Sequence, residues 1–392
     1  MIEKLRVLYF LYYAAVGSFL FYFAPYLRGL GFSGAQIGAV IMAAQIVSAF
    51  AALGWGAVAD RLGDPARTLR LCAAGALVAA CGLPFARTPL QVGLVLSLAT
   101  TCSGSVVPLV DSVTVEALRM GYARTRLFGS VGFIVAAQGL GLLLSARGDR
   151  PADAVMPLAF LACTLGYAVT AQTLPRVSSA HERLRFADAA ALFGNVPLLA
   201  LLGICALHWA CCAPYHLMFG VLIRDRGFSS SLTGLGSALG VLAEVFALLL
   251  FPSLERRWSL RALLGAAFAA TVLRWLLVAR AQSAAGLVLL QLLHGFTFGL
   301  WWGCAVEAMA RLVPARLRAS GQALFSAVVF GIGNAAGTAF AGIGYDRFGS
   351  AAPLFTVAAL VELAPLLLVL LLARPLSLQR QQAALDRRPQ VR

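Results

Sequence analysis

Twelve stretches of this sequence are too long and too apolar to be left in water, and they constrain every later choice. They lie near residues 7–27, 35–59, 71–86, 90–118, 127–146, 154–174, 197–223, 232–252, 262–279, 284–311, 319–343 and 351–373. A helix needs about 17–25 residues to cross a bilayer. The third run is short and borrows Leu69 to Leu71 at the interface. The runs lack strict alternation and exceed the about 9–11 residues of a barrel strand, so an all-α membrane protein is expected. Only 12% of the residues are charged, about half the share of a soluble domain. The first run follows Lys4 and Arg6, but no small-residue cleavage site closes it and Tyr9, Tyr12 and Tyr13 lie inside it. It reads as a retained first helix.

A net charge of +15 suggests nucleic acid until it is mapped. Of the Lys and Arg residues in the connections and tail, 22 fall on the side of the N terminus and 8 on the other. Positive residues accumulate in cytoplasmic loops, so both termini and the loop 175–196 are expected in the cytoplasm of a bacterial-type inner-membrane protein. The charges are spread one to three per short loop, which argues against a nucleic-acid surface. All eight cysteines lie inside the apolar runs without a CxxC pair. They read as packing residues, and neither a metal nor a cofactor is expected.

The chain is doubled. RGLGFSGAQIG at 28–38 returns as RDRGFSSSLTG at 224–234, pairing Arg28 with Arg224, Gly31 with Gly227, Ser33 with Ser229 and Gly38 with Gly234 at one offset of 196 residues. The same offset carries Asp111 onto Glu307, Ser130 onto Ser326 and Gln138 onto Asn334. Two homologous bundles follow, 1–174 and 197–373, joined by the polar linker 175–196 and followed by a tail at 374–392. Two six-helix halves with both termini on one side resemble the major facilitator superfamily, which implies twelve transmembrane helices in two pseudo-symmetric bundles. The run GAVADRLGDPARTLR at 56–70 resembles that superfamily's signature between helices 2 and 3. The resemblance gives Gly56, Asp60, Arg61, Gly63 and Arg67 a part in the conformational cycle. The equivalent place in the second half keeps only Glu255, Arg256 and Arg257.

Ionisable groups deep in apolar runs point to function, because hydrocarbon tolerates them only when they pair or face a cavity. Asp111 lies roughly 10 Å inside the fourth run, with Arg126 at the head of the fifth as its partner. Glu244, Arg274, His294 and Glu307 form a second set. Reversible protonation coupled to solute binding is the chemistry such a set supplies, with Glu244, Arg274, His294 and Glu307 as the proton-coupling candidates. A static tie between helices is the alternative for Asp111–Arg126. Glu362, beside Pro365, and the Cys211–Cys212 pair receive no role.

Pro108-x-x-Asp111 followed by Arg124-x-Arg126-Leu-Phe-Gly129 resembles the lactose-permease-like proton symporters, as does the spacing from Arg274 to His294. In that group an acid one turn after the histidine handles the proton. Thr297 stands there in this sequence, which leaves Glu307 or Glu244. Phe133 replaces the aromatic that stacks on sugar, against a galactoside. The segments PLVDS, RLFGSVGF, GVLAEV, LRW and LLHGFTF resemble the phenylpropionic-acid permease type of the same group. That resemblance implies proton symport of a small aromatic carboxylate by a monomer. Arg126, Arg274 and protonated His294 would hold the carboxylate and Phe133, Trp209, Phe298, Trp301 and Trp302 would frame the ring, while Gln138 and Asn334 would supply hydrogen bonds to a nucleoside or oligosaccharide. A nucleoside or oligosaccharide symporter, a proton-coupled exporter and a non-transporting sensor are the rivals. The fifth run lacks the glycine-proline signature of exporters. No P-loop, HExxH or GxSxG motif is present, so an enzyme is not expected.

Overall fold

The computed structural model describes residues 1–118, 121–177, 192–314 and 317–372, apart from the side chains of Leu53, Asp60, Ala319 and Leu372. The tail, most of the linker, Arg119 and Arg316 therefore lie outside the described residues, as does the Asp60 carboxylate.

Among the described residues, twelve helices are long and apolar enough to cross a membrane: α1 (Ile2–Gly29), α2 (Gly34–Ala59), α3 (Pro65–Phe85), α4 (Pro89–Ala117), α5 (Tyr122–Ala146), α6 (Val155–Gln172), α7 (Val196–Asp225), α8 (Ser230–Arg257), α9 (Leu260–Arg280), α10 (Ala284–Leu312), α11 (Ser320–Phe348) and α12 (Ala352–Leu371). Among the described residues there is no strand. Large side chains such as Val78, Phe85, Phe246 and Leu371 point outward and exposed, as the lipid face of such a bundle requires. The helices begin where the sequence supplies caps. Ser33 and Gln36 close a reciprocal capping box at α2, and Thr88 and Gln91 close another at α4. Asp64 caps α3 with Pro65 in its first turn.

Several helices are irregular. α1 breaks at Leu20–Tyr22 ahead of Pro25, and α4 at Gly104–Ser105 ahead of Pro108. α10 and α11 contain π-helical segments at Gly295–Leu300 and Ser326–Gly333. Proline explains the first two, and π segments recur at functional sites.

The halves meet along two equivalent seams, α2 against α11 and α8 against α5, at the end away from the N terminus. A Cβ on Gly38 would lie 3.0 Å from the Thr338 carbonyl, and one on Gly234 would lie 2.7 Å from that of Ala137. Any side chain at either position would force the backbones apart. The repeat glycines thus occupy matching places in the two seams. Each seam also carries a carboxylate at the helix N terminus of the opposite half. Asp346 accepts hydrogen bonds from the Gly34 and Ala35 amides at 2.6 and 2.8 Å. Asp149 accepts from the Ser230 amide at 3.1–3.2 Å, with Arg224 3.5 Å away. An acid here satisfies otherwise orphaned amides and complements the helix dipole.

Such a cap is worth about 1 kcal/mol, or about fivefold in a two-state population. Asp346→Ala is therefore expected to raise the fraction open at this end by about that factor. Leu20→Cys, in a background with the native cysteines replaced, reports it through labelling by an impermeant thiol reagent added from the side of the α1–α2 loop. Unchanged labelling would show that Asp346 does not hold the seam shut.

Candidate substrate and proton site

Between the halves lies a cavity of about 870 Å³. It reaches Tyr122 and Ala123 in the first turn of α5, at the face bearing the N terminus. At the other end the rings of Phe21, Phe133 and Tyr215 close it, with centroids 6.5 Å apart for Phe21–Phe133 and 5.0 Å for Phe21–Tyr215. The wall is largely apolar, with Tyr13, Trp209, Phe298, Trp302 and Phe330 among its aromatic rings. Arg126, His216, Glu244, His294, Gln45 and Asn334 interrupt it with polar groups.

In the first half, Arg126 forms a charged pair with Asp111, its Nη1 lying 2.9 and 2.7 Å from the two carboxylate oxygens. Asp111 does not itself line the cavity. It sits behind Arg126 and also accepts a 2.5 Å bond from the Tyr9 hydroxyl. Arg126 completes its donors with the hydroxyls of Tyr122 and Tyr13, each at 3.2 Å. Both members of the pair are partly exposed, so the cavity's water shares their solvation.

The second half is drier. Arg274 is fully buried and lies outside the cavity wall. Its guanidinium donates to His294 Nδ1 at 3.0 Å and to Gln291 Oε1 at 2.6 Å. It also sits over the rings of Tyr215 and Trp275, at 4.4 and 4.6 Å from their centroids. An arginine can only donate, so His294 Nδ1 must accept. In this arrangement the imidazole is neutral, its hydrogen is on Nε2, and Nε2 lies 3.7 Å from Glu244 Oε2. Arg274 therefore fixes the tautomer through which His294 addresses Glu244. A protonated His294 and an Arg274 in direct reach of solute do not belong to this state. His294 precedes the π segment of α10, which aims Phe298 into the cavity beside it.

The remaining candidates divide. Phe133 and Asn334 line the cavity. Gln138 lies in the α5–α8 seam, where its Oε1 is 2.9 Å from where a Cβ on Gly234 would sit, and it does not line this cavity. Glu307 is also away from the cavity: Arg311 binds it at 2.6 Å and pairs with Glu255 as well. The structure thus separates Glu307 from Arg274, leaving Glu244 as the acid that His294 meets. Trp301 is buried behind the wall, stacked on Trp209 at 5.5 Å. In the turn after α2, Gly63 adopts φ +59° and ends the helix, while Arg61 and Arg67 are exposed. Gly56 has open space beside its Cα. The acid described in this turn is Asp64, 3.5 Å from Arg70. Sequence reasoning passed over Tyr13, Tyr215, Gln291 and His208. The first two are ordinary aromatics until the hydroxyl of one and the ring of the other meet an arginine, and only His208 carried the usual signal of an ionisable group at depth.

The model of the MFS_1 like family matches residues 2–357. The probable 3-phenylpropionic acid transporter of Escherichia coli (strain K12) is 30% identical over 366 residues, covering 91% of this chain and 93% of that one. The maltose permease of Geobacillus stearothermophilus is 30% identical over 334 residues, 83% of each chain. The xanthosine permease of Escherichia coli (strain K12) is 25% identical over 376 residues, 88% of each chain. In fold, the chain is similar to the nucleoside transporter NupG, with a TM-score of 0.83 at 20% identity over 95% of this chain and 99% of that one. With its twelve spanning helices, its two-bundle fold and this match over most of its length, the chain belongs to the MFS_1 like family of major facilitator transporters, which are multi-pass membrane proteins and not enzymes.

Proposed function

We propose that the protein is a proton symporter of a small aromatic carboxylate, with 3-phenylpropionate as the first candidate. It works as a monomer by alternating access, with both termini in the cytoplasm. The observation that carries this reading is the chain Arg274–His294–Glu244 ending in an aromatic cavity. When Glu244 is ionised, its own carboxylate competes for the His294 Nε2 hydrogen. A proton on Glu244 removes that competitor. The solute's carboxylate then takes the Nε2 hydrogen in the field of Arg274, while Trp209, Phe298 and Trp302 receive its ring. Proton and anion thus need each other, and together they cross without net charge. The excess of Lys and Arg on the N-terminal side orients the cycle, and the cavity described here opens to the cytoplasm. The relative named for 3-phenylpropionic acid supports the solute class.

An uncharged nucleoside is the second reading. Asp111 already neutralises Arg126, which leaves that side of the cavity suited to a neutral solute, and Asn334 and Gln45 offer hydrogen bonds.

Proteoliposomes with an imposed proton gradient are expected to accumulate labelled 3-phenylpropionate with matching proton uptake, and not xanthosine or maltose. Accumulation of xanthosine instead would move the second reading to the front. No flux of any solute in a folded, inserted protein would favour a sensor.

The roles are separable by variants. Glu244→Gln is expected to keep solute exchange at equal pH while losing gradient-driven accumulation. His294→Phe removes a hydrogen bond to a charged group, worth about 1.5–3 kcal/mol, and should weaken binding about ten- to a hundredfold. Equal loss of exchange and accumulation in Glu244→Gln would remove Glu244 from proton coupling.

A further inference from the structure

His208 on α7 and Glu362 on α12 form a pair that the transport reading does not use. Both side chains are fully buried and neither lines the cavity. His208 Nδ1 lies 2.6 Å from Glu362 Oε1, and Nε2 lies 3.0 Å from the main-chain oxygen of Thr297. Thr297 belongs to the π segment of α10. The Cys212 sulfur stands 3.7 Å from the same Nε2. Phe268 of α9 and Trp301 of α10 close over the imidazole, with centroids at 5.1 and 4.9 Å. The second carboxyl oxygen of Glu362 has no hydrogen bond of normal geometry among the described residues, and the Cys211 thiol stands against this carboxyl.

Elementary donor and acceptor rules fix the hydrogens. A carbonyl oxygen only accepts, so His208 Nε2 carries a hydrogen and donates it to Thr297. The short Nδ1–Oε1 contact then needs exactly one hydrogen more between its two atoms. That hydrogen sits on the imidazole, giving an ion pair, or on the carboxyl, giving a neutral pair. Either way the unit holds one bridging proton and has no net charge. Its loss would set the Nδ1 lone pair against a buried carboxylate that has only the weak donor of the Cys211 thiol beside it. A second proton would strand a cation among Phe268, Trp301 and Cys212. Both outcomes are costly where water is absent.

We propose that His208 and Glu362 share a resident proton distinct from the transported one, and that this bridge positions the π segment of α10. The pair ties α7 and α12 to the Thr297 carbonyl. That carbonyl lies between His294, which addresses Glu244, and Phe298, which lines the cavity. His208 and Glu362 are thus positioning residues for the site, a role that rests on the transport reading. The proton inventory itself does not.

Glu362→Gln is the informative variant, because an amide can donate to Nδ1 and keep the bridge but cannot release a proton. In proteoliposomes Glu362→Gln is expected to keep accumulation and proton uptake within about twofold of the parent protein. Glu362→Ala and His208→Ala are expected to lose more than about tenfold in uptake, with a raised KM, as Thr297 loses its tie. A Glu362→Gln protein that exchanges solute but no longer accumulates it would show that this proton moves in the cycle, and would overturn the proposal. Loss of both activities would overturn it equally, since the amide preserves the bridge. A measurement independent of transport uses nitrogen-15 spectra of histidine-labelled protein. One imidazole should show a protonated Nε2 bonded to a carbonyl, and its signal should vanish in His208→Ala. An unprotonated Nε2 on His208 would refute the bridge whatever the solute proves to be.

Discussion

Hydrocarbon offers a charge no partner, and that single constraint places the ionisable groups of this protein. Arg274 shows it most clearly. Buried without a carboxylate in contact, its guanidinium turns to an imidazole lone pair, an amide oxygen and two ring faces. The His294 tautomer follows from that choice, and the direction of the Nε2 hydrogen follows from the tautomer. Asp111 and Arg126 meet the same constraint differently, since they sit at the edge of a water-reachable cavity and recruit tyrosine hydroxyls from α1 and α5. One half of the protein therefore holds a paired, solvated charge, and the other an unpaired, dry one.

The helices that line the cavity are also those that close it. α8 presents Ser230 and Gly234 to the seam and Glu244 to the cavity, on one continuous helix. α11 presents Asn334 and Thr338 to the cavity and Gly342 and Asp346 to the seam. A solute that moves either helix at the cavity moves its seam, so coupling between binding and closure needs no chain of intermediate side chains.

The twelve helices were legible because membrane helices must carry a long apolar run. Depth along a run can be counted from sequence, and that count singled out Asp111, Glu244, Arg274 and His294. Azimuth cannot be counted in the same way. Glu307 and Gln138 lie at plausible places along their helices, yet one turns to Arg311 and the other to the α5–α8 seam. The π segments added to the difficulty, because no residue pattern announces them and they rotate everything downstream on α10 and α11. Glu362 looked idle because its partner, His208, lies 154 residues away, and sequence position does not say which two helices pack together.

The two seams are not equally strong. Asp346 holds two consecutive amides with one oxygen each, whereas Asp149 turns both oxygens to a single amide at longer range. Symmetry in the backbone therefore conceals a weak side and a strong side. The α8 end adds a cation, Arg224, that lies against both Asp149 and the Ser230 hydroxyl, so closure there involves a charge pair as well as the helix amides.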